Sequence, residues 1–158
     1  MNFKPIRRVD REISKDEALS LLKLAEYGVL SLAQTENEYP YGVPIDYIFY
    51  EDNLYFHCAT EGQKLDILKI NNKACFTVVL DAKVLPRYHS TAYKSVIVFG
   101  RCTLLNDNLK DEMLLKFGMR FAGDFPEVIK ETIQKTGKAT TIIKFEIDYV
   151  SGKQRKDI

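Results

Sequence analysis

The sequence predicts a mainly β domain with inserted helices, folded as a closed or partly closed antiparallel barrel of about six strands. Short runs rich in Val, Ile, Phe, Tyr and Thr, separated by turn residues, occupy most of the chain, as expected of strands joined by short connections. Strands this apolar need closed or covered edges, which favours a barrel. No repeat, low-complexity segment or Pro/Gly-rich linker divides the 158 residues, so we expect one domain over residues 1–158.

The first half of the chain combines one helix with three strands. Residues 1–13 are charged and are predicted to be a surface segment. Ser14-Lys15-Asp16-Glu17 has the pattern of a capping box, and the leucines behind it predict a helix to about Glu26, with Gly28 as its end. The strands predicted next are Val29–Gln34, Tyr41–Tyr50 and Asn53–Ala59.

The second half contains further strands around a helical pair. Thr60-Glu61-Gly62-Gln63 has the pattern of a second capping box, and it predicts a short helix that Asn71-Asn72 ends. Pro86 and His89 fall in a predicted loop, and residues 151–158 are a predicted C-terminal tail. The remaining predicted elements are the strands Ala74–Leu80, Tyr93–Leu105 and Ala139–Val150 and the helices Leu109–Phe121 and Pro126–Thr136.

Composition and charge argue against several function classes. The 23 Lys and Arg residues nearly balance the 22 Asp and Glu residues, so no overall field attracts the chain to nucleic acid or to an anionic membrane. The N-terminus lacks the apolar core of a signal peptide, and no apolar run is long enough to span a bilayer, so we expect a cytoplasmic protein.

The cysteines and histidines give no sign of a metal site or a disulfide framework. Cys58, Cys75 and Cys102 each lie in an apolar strand-like run, which predicts reduced core thiols. The chain has only two histidines, His57 and His89, and no nearby carboxylate at ligand spacing. We therefore predict no metal site.

The most informative stretch is residues 55–64, where a strand leads directly into a helix start. Such a junction directs backbone amides and the positive end of a helix dipole at one place, which is the outline of a phosphate site. Gly62 would let a ligand approach the backbone, Thr60 offers a hydroxyl, and Lys64 carries a positive charge. Judged on this stretch alone, simple helix capping and a solvated surface lysine are the commoner explanation.

His57 is the candidate for chemistry in the same stretch. Strand alternation directs Tyr55, His57 and Ala59 to one side of the strand and Leu54, Phe56 and Cys58 to the other. An imidazole on the side facing a pocket could donate a hydrogen bond or a proton. A lone histidine in a strand is more often structural, so both readings stay open at this point.

Two further strands contain unusual residues. Pro44 interrupts a strand, which indicates an edge, a bulge or a place where the backbone faces a ligand such as a flat aromatic cofactor. Ser95 begins a long apolar strand and could donate to a phosphate, although an ordinary strand-end serine is commoner. Arg101 lies mid-strand, where its charge requires a carboxylate or an anionic ligand.

Four motifs together resemble one family. They are Gly-Val-Pro-Ile-Asp-Tyr (42–47), Tyr-Phe-His-Cys-Ala-Thr-Glu-Gly-Gln-Lys (55–64), Ser-Val-Ile-Val-Phe-Gly-Arg (95–101) and Phe-Glu-Ile-Asp-Tyr-Val-Ser-Gly-Lys (145–153). In this order, over about residues 5–155, they resemble the flavin-binding split-barrel proteins related to pyridoxamine-phosphate oxidase, and within them the nitroimidazole-resistance group.

The resemblance implies a split β-barrel that binds FMN in clefts between the subunits of a homodimer. Lys64 would pair with the FMN phosphate, and His57 would lie beside the cofactor as a catalytic residue. The helpers at the phosphate would be Gln63, Ser95 and the amides near Cys58 and Ala59, in addition to Thr60 and Gly62 from the local pattern. The residues lining the ring system would be Val43, Pro44, Ile45, Asp46 and Tyr47.

Two departures from the oxidases narrow the functional hypothesis. Gln63-Lys64 replaces the Arg-Lys pair of the oxidases, and residues 151–158 have no counterpart of their substrate-binding segment. The missing charge predicts a lower affinity for FMN, and the missing segment argues against pyridoxamine-phosphate oxidation. Two histidines offer few axial ligands for heme. The leading hypothesis is an FMN-dependent oxidoreductase that passes electrons from a reduced nicotinamide to a small acceptor, such as a nitroaromatic compound. The alternatives are a non-catalytic flavin-binding or flavin-sensing module and a barrel with an empty cleft.

Overall fold

An antiparallel sheet of eight strands forms the centre of the protein in a computed structural model that describes residues 3–34, 37–105 and 107–156. The strands are β1 (Glu12–Ile13), β2 (Tyr27–Ala33), β3 (Pro40–Asp46), β4 (Ile48–Tyr50), β5 (Asn53–Ala59), β6 (Lys73–Leu85), β7 (Ser90–Leu104) and β8 (Thr140–Arg155). The α-helices are α1 (Lys15–Leu24), α2 (Gln63–Ile70), α3 (Asp107–Ala122) and α4 (Pro126–Thr136).

The strand order is β3-β2-β6-β7-β8-β5-β4, and β1 pairs with β8. All of these pairings are antiparallel. The prediction of a mainly β antiparallel barrel with inserted helices is confirmed, but the described strands number eight and not about six. The predicted strand Tyr41–Tyr50 breaks at Tyr47, and Glu12–Ile13 adds a short strand.

The barrel is split between β3 and β5. These strands lie close to each other across the barrel, yet they are not neighbours in the strand order. β4 pairs with β5 over Asn53–Tyr55, so the later residues of β5 have β8 on one side and β3 across an open gap on the other.

Aromatic side chains fill the barrel interior. Phe56 and Phe145 pack edge to face at 6.1 Å between ring centroids, and Phe76 lies 5.1 Å from Phe56 and 4.9 Å from Tyr47. All four residues are fully buried. Burial of such large rings dominates the stability of a domain of this size.

Helix α1 begins as predicted but ends earlier. The Ser14 hydroxyl accepts a hydrogen bond from the Glu17 amide at 3.2 Å, which confirms the cap. The helix stops at Leu24, and Gly28 lies inside β2. Its role there is close packing, because an added Cβ would lie 2.4 Å from the Phe76 ring and 2.6 Å from the Thr77 carbonyl oxygen. The prediction that Gly28 ends the helix is wrong.

Strands β6 and β7 extend from both sides into the predicted loop between Leu80 and Tyr93, so that only a turn at residues 86–89 is left. β6 and β7 continue their pairing to Leu85 and Ser90. A short 3-10 helix, Pro86–Tyr88, and His89 at a φ of 45° make the turn between them. Across this hairpin Asp81 and Lys94 form an ion pair of 3.0 Å.

The other predicted helices and the last strand lie close to their expected positions. Helices α3 and α4 match the predicted pair, and α4 matches it residue for residue. Strand β8 runs on through Arg155, so most of the predicted tail 151–158 is strand. It continues because Ser151 to Arg155 pair with β7, and Gly152 and Lys153 also pair with β1.

Candidate functional site

An open cleft lies in the gap between β3 and β5. Its volume is about 530 Å³, within the usual range for small-molecule sites, roughly 300–1,000 Å³. It is lined by Val43, Pro44, Ile45, His57, Cys58, Ala59, Lys64, Thr136, Ala139 and Thr140. Seven of these ten residues belong to the site expected from the sequence, and the fold brings together three separate segments to form it.

Pro44 lies on an edge strand, as one interpretation of the sequence predicted. β3 pairs with β2 on one side and faces the cleft on the other. A proline at an edge removes no interior ladder hydrogen bond. The backbone of Val43, Pro44 and Ile45 therefore borders the cleft without a second strand covering it.

The start of α2 differs from the capping box expected at Thr60. Gly62 occupies the N-cap position with a φ of 131°, and no side chain caps the helix. Only glycine adopts such a backbone readily, so the chain enters the helix through a tight bend. The prediction of a second capping box is wrong, and the first amides of α2 are left for solvent or a ligand.

Lys64 is the single charged residue of the cleft lining. Its side chain is partly buried, and no carboxylate pairs with it in the part of the chain that the structure describes. Thr60, Gly62 and Gln63 are exposed beside it in sequence but lie outside the lining. A positive charge next to uncapped helix amides is an arrangement suited to an anion.

His57 stands on β5 between the cleft and helix α3. Its ring meets Phe117 edge to face at 4.7 Å, and its side chain is exposed. Within residues 3–34, 37–105 and 107–156 no hydrogen bond to the imidazole is found. A structural histidine in a strand would have a hydrogen-bond partner. His57 has none among these residues, so the structural interpretation does not fit it.

Three further expected site residues, besides Thr60, Gly62 and Gln63, lie outside the cleft lining. Tyr47 is fully buried, and its hydroxyl donates a hydrogen bond to the Leu22 carbonyl oxygen at 2.5 Å. Burial raises the pKa of this phenol above its ordinary value of 10.0. Tyr47 is thus a core residue, and it is not part of the cleft lining.

Asp46 and Ser95 are the other two. Asp46 is exposed at the end of β3, opposite Tyr27 on β2, and is not part of the lining. Ser95 lies on β7 next to the fully buried Val96, so its side chain is on the outward face of the sheet. The fold does not bring it to the cleft of its own chain.

Three lining residues are absent from the sequence-based set. Thr136 and Ala139 end α4 and the turn after it, and Thr140 begins β8. They reach the cleft because β5 pairs with β8, which places Thr140 opposite Ala59. No local signal marks these residues, since a pairing across eighty residues of chain positions them.

The cysteines are unsuited to nucleophilic chemistry. Burial raises the pKa of the Cys58 thiol, with a smaller lowering from Lys64, and burial also raises the pKa of Cys75. The same cause raises the pKa of Cys102 to about 12. The reactive form of cysteine is the thiolate, so all three stay in the unreactive thiol form near neutral pH. They are free thiols, as the sequence predicted.

Arg101 has the partner that its mid-strand position requires. Its guanidinium pairs with the Asp148 carboxylate on β8 at 3.0 Å, and its Nε donates to both carboxylate oxygens at 3.1 and 3.2 Å. The prediction of a partner is confirmed, and that partner is a carboxylate of the same chain.

Two features are absent from residues 3–34, 37–105 and 107–156, a cluster of metal ligands and a membrane-spanning helix. No group of three or more His, Cys, Asp and Glu side chains there is placed to hold a metal ion. No helix in these ranges has the length and apolar character needed to cross a membrane.

Residues 14–154 match the family described as pyridoxamine 5'-phosphate oxidase. The chain belongs to this family. The match includes every lining residue of the cleft. It confirms the resemblance carried by the four sequence motifs and the split-barrel fold that this resemblance implies. No curated protein sequence matches the chain.

Solved structures support the same fold. One is a Bacteroides thetaiotaomicron protein with a proposed role in 5-nitroimidazole antibiotic resistance, at 23% identity and a TM-score of 0.72, covering 90% of this chain and 85% of that one. The FAD and heme binding protein of Mycobacterium smegmatis gives 22% identity and a TM-score of 0.77 over 93% and 74%. A FAD-binding protein of Mesorhizobium loti gives 20% identity and a TM-score of 0.69, covering 92% of this chain and 98% of that one.

Proposed function

We propose that this member of the pyridoxamine 5'-phosphate oxidase family binds FMN in the cleft between β3 and β5 and acts as an oxidoreductase. The electrons would come from a reduced nicotinamide and go to a small acceptor such as a nitroaromatic compound. The observation that carries the proposal is the meeting of Lys64, the uncapped start of α2 and the open edge of β3 in one cleft. The names of similar structures, which mention FAD, agree with a flavin ligand.

The phosphate end of FMN fits the start of α2. Lys64 supplies a positive charge without a competing carboxylate, and the α2 amides lack a capping side chain. A charge-assisted hydrogen bond to phosphate contributes about 1.5–3 kcal/mol. Gly62 keeps the approach open, since nothing lies within 4 Å of the position where a Cβ would stand.

The ring end of the flavin fits the edge of β3. Val43, Pro44 and Ile45 border the cleft through an edge that no second strand covers. Backbone amide and carbonyl groups on such an edge can read the polar rim of a flat ring, while the side chains pack against it. A bound flavin supplies the redox chemistry, and the protein binds it, orients it and leaves one side accessible.

His57 is the proposed proton or hydrogen-bond donor to the acceptor. Its imidazole borders the cleft, is exposed and has no hydrogen-bond partner among the described residues. General acid–base groups contribute about 10²–10⁴-fold to rate. We expect His57→Ala to retain its flavin and to lose about 10²-fold or more in kcat with a reduced nicotinamide and a nitroaromatic acceptor.

The matched control is His89→Asn, because His89 lies in the β6–β7 turn and Asn tolerates its left-handed backbone. This variant should keep full turnover. If His57→Ala also keeps both flavin and full turnover, His57 has no catalytic role. A wild-type protein that holds flavin but oxidises no reduced nicotinamide would instead be the non-catalytic flavin module.

A homodimer is part of the proposal. The outward face of β2, β6 and β7 exposes neighbouring apolar side chains, with Val79 59% exposed, Ile97 38% and Phe99 37%. Such a patch is typical of a protein–protein interface. Ser95 lies on the same face, so in a dimer it would face the partner subunit. Light scattering after size-exclusion chromatography should give a molar mass of twice the chain mass. The Ile97→Lys variant should have a molar mass closer to that of one chain.

A further inference from the structure

We propose that a second, apolar cavity between α3 and α4 holds the electron acceptor, and that this acceptor is an uncharged compound with a single aromatic ring and a hydrogen-bond-accepting substituent. The inference rests on the proposed function, since it assigns the acceptor of that reaction. It adds a binding site that the flavin cleft does not include and a chemical class for the ligand.

The cavity adjoins the cleft through three residues. His57, Thr136 and Thr140 line both spaces. The other walls come from the facing sides of the two helices. They are Leu114, Phe117, Gly118, Phe121 and Ala122 on α3 and Val128, Ile129, Thr132 and Ile133 on α4. A molecule in this cavity therefore lies next to any ligand in the cleft, with His57 between the two.

Helix packing explains why the space exists. At Gly118 the helices meet closely, because an added Cβ would lie 2.4 Å from the Ile129 Cγ2 atom. On α3, Phe117 and Phe121 are one helical turn apart, and their rings are nearly parallel, 13° between planes and 6.2 Å between centroids. Both rings line the cavity beside the contact at Gly118.

The size of the cavity limits its ligand to a small molecule. Its volume is about 230 Å³, whereas an apolar protein cavity of about 150 Å³ holds benzene. One ring with one or two substituents fits this space, and a dinucleotide or a porphyrin does not. No Asp, Glu, Lys or Arg lines it, so a charged ligand would lose its hydration without a partner.

The polar groups of the cavity leave a hydrogen-bond donor at His57 for a ligand that accepts hydrogen bonds. The Thr136 hydroxyl donates to the Thr132 carbonyl oxygen at 2.9 Å, and the Thr140 hydroxyl donates to the Thr136 carbonyl oxygen at 2.8 Å. Their protons are thus occupied. The His57 imidazole has no such partner among the described residues, and its edge contact with Phe117 fixes its ring at the junction of the two spaces. A nitro or carbonyl oxygen can accept from it.

The test uses nitrobenzene as the probe and a blocking substitution in α4. Thr132 is exposed at the cavity, so Thr132→Phe adds a ring at the opening with little risk to folding. Gln134→Phe is the matched control, because it adds the same ring to the same helix outside the cavity. Ala122→Leu fills the cavity independently from α3. Binding is followed by ligand-observed NMR, with and without added FMN, and the flavin content of each sample is recorded.

We expect Thr132→Phe and Ala122→Leu to weaken nitrobenzene binding by about tenfold or more, since overpacking removes the space for the ring. Gln134→Phe should bind as the wild type does. Toluene, which lacks an acceptor, should bind about two- to tenfold more weakly than nitrobenzene, the range for one neutral hydrogen bond. His57→Ala should remove this difference, and 4-nitrobenzoate, which is charged, should bind least.

Two results would overturn the inference. One is equal nitrobenzene binding by wild type, Thr132→Phe and Ala122→Leu, which would place the probe elsewhere. The other is a wild-type protein that binds no nitrobenzene. The flavin content of each sample shows whether the acceptor site or the proposed function has failed. Protein that holds FMN but binds nitrobenzene outside the cavity contradicts only the acceptor site. Protein that takes up no FMN contradicts the proposed function, whatever the probe does.

Discussion

The closed side of the barrel and its split side use polar groups in opposite ways. Around Phe56, Phe76 and Phe145 the interior is apolar, and the fully buried phenol of Tyr47 is hydrogen-bonded to backbone. In the described residues no buried side-chain nitrogen or oxygen lacks a partner. Along the split, His57 and Lys64 border an open cleft without a hydrogen-bonded or ionic partner in the same described set.

This difference separates stability from function. Groups on the closed side are needed to fold the barrel, because an unpaired buried polar atom would cost free energy. Groups along the split contribute little to folding, since they remain solvated. Substitutions on the two sides should therefore affect different measurements, and the following predictions test that separation.

The largest effect is expected from the closed side. Phe76 contacts Tyr47 and Phe56 and is fully buried. Phe76→Ala should lower the free energy of unfolding by about 3–5 kcal/mol, the usual cost of removing a buried ring. Urea denaturation measures it. A loss below about 1 kcal/mol, within the range of ordinary substitutions, would mean that this core is not the main source of stability.

A substitution at Lys64 should affect FMN binding and leave stability almost unchanged, the reverse of Phe76→Ala. Lys64→Ala should weaken FMN binding by about ten- to a hundredfold, because it removes a charge-assisted hydrogen bond. The stability of the flavin-free protein should change by less than about 0.5 kcal/mol. Lys69→Ala is the control, since Lys69 lies on the same helix but pairs with Asp66 at the surface. Equal FMN affinity for both variants would remove Lys64 from the site.

Tyr47 allows a pH test of the closed side. Tyr47→Phe should cost about 0.5–1.5 kcal/mol at neutral pH through loss of one hydrogen bond. The pKa of Tyr47 is raised by burial, so the native state favours the neutral phenol. The stabilisation of the native state by the neutral phenol is therefore complete below the pKa of tyrosine in the unfolded chain, about 10. It is lost as the pH rises above that value. The stability difference between wild type and Tyr47→Phe should therefore shrink above about pH 10. A constant difference would contradict the buried position.

The smallest effect compares the two capping patterns. Ser14 accepts from the Glu17 amide, whereas Thr60 caps nothing. Ser14→Ala should cost about 1 kcal/mol, and Thr60→Ala should cost almost none. Thermal unfolding of the two variants checks this. Equal losses would mean that the Thr60 hydroxyl has a structural role at the start of α2.

Local patterns predicted most elements, and long-range contacts account for the errors. The Ser14 cap, β5 and α4 follow from residues close in sequence. The pattern at Thr60 fails because Gly62 bends the chain directly before α2. Gly28 resembles a helix end in sequence, but its lack of a side chain serves contact with Phe76, forty-eight residues later.

The candidate site divides in the same way. Seven lining residues lie in motifs that are recognisable in the sequence. They are Val43, Pro44, Ile45, His57, Cys58, Ala59 and Lys64. Tyr47 shares its motif with Pro44, yet the break between β3 and β4 turns it into the core. Thr136 and Thr140 reach the cleft only through the pairing of β5 with β8, and Phe117 reaches His57 only through the packing of α3.

The most direct test of the central claim is an absorbance spectrum of the purified protein, followed by mass analysis of any chromophore released on denaturation. The account predicts flavin bands, release of FMN, and uptake of added FMN by the flavin-free protein. The uptake should be weakened in Lys64→Ala and unchanged in Lys69→Ala. Release of FAD alone would correct the cofactor and keep the cleft as a flavin site. A colourless protein whose melting temperature ignores added FMN would contradict the account.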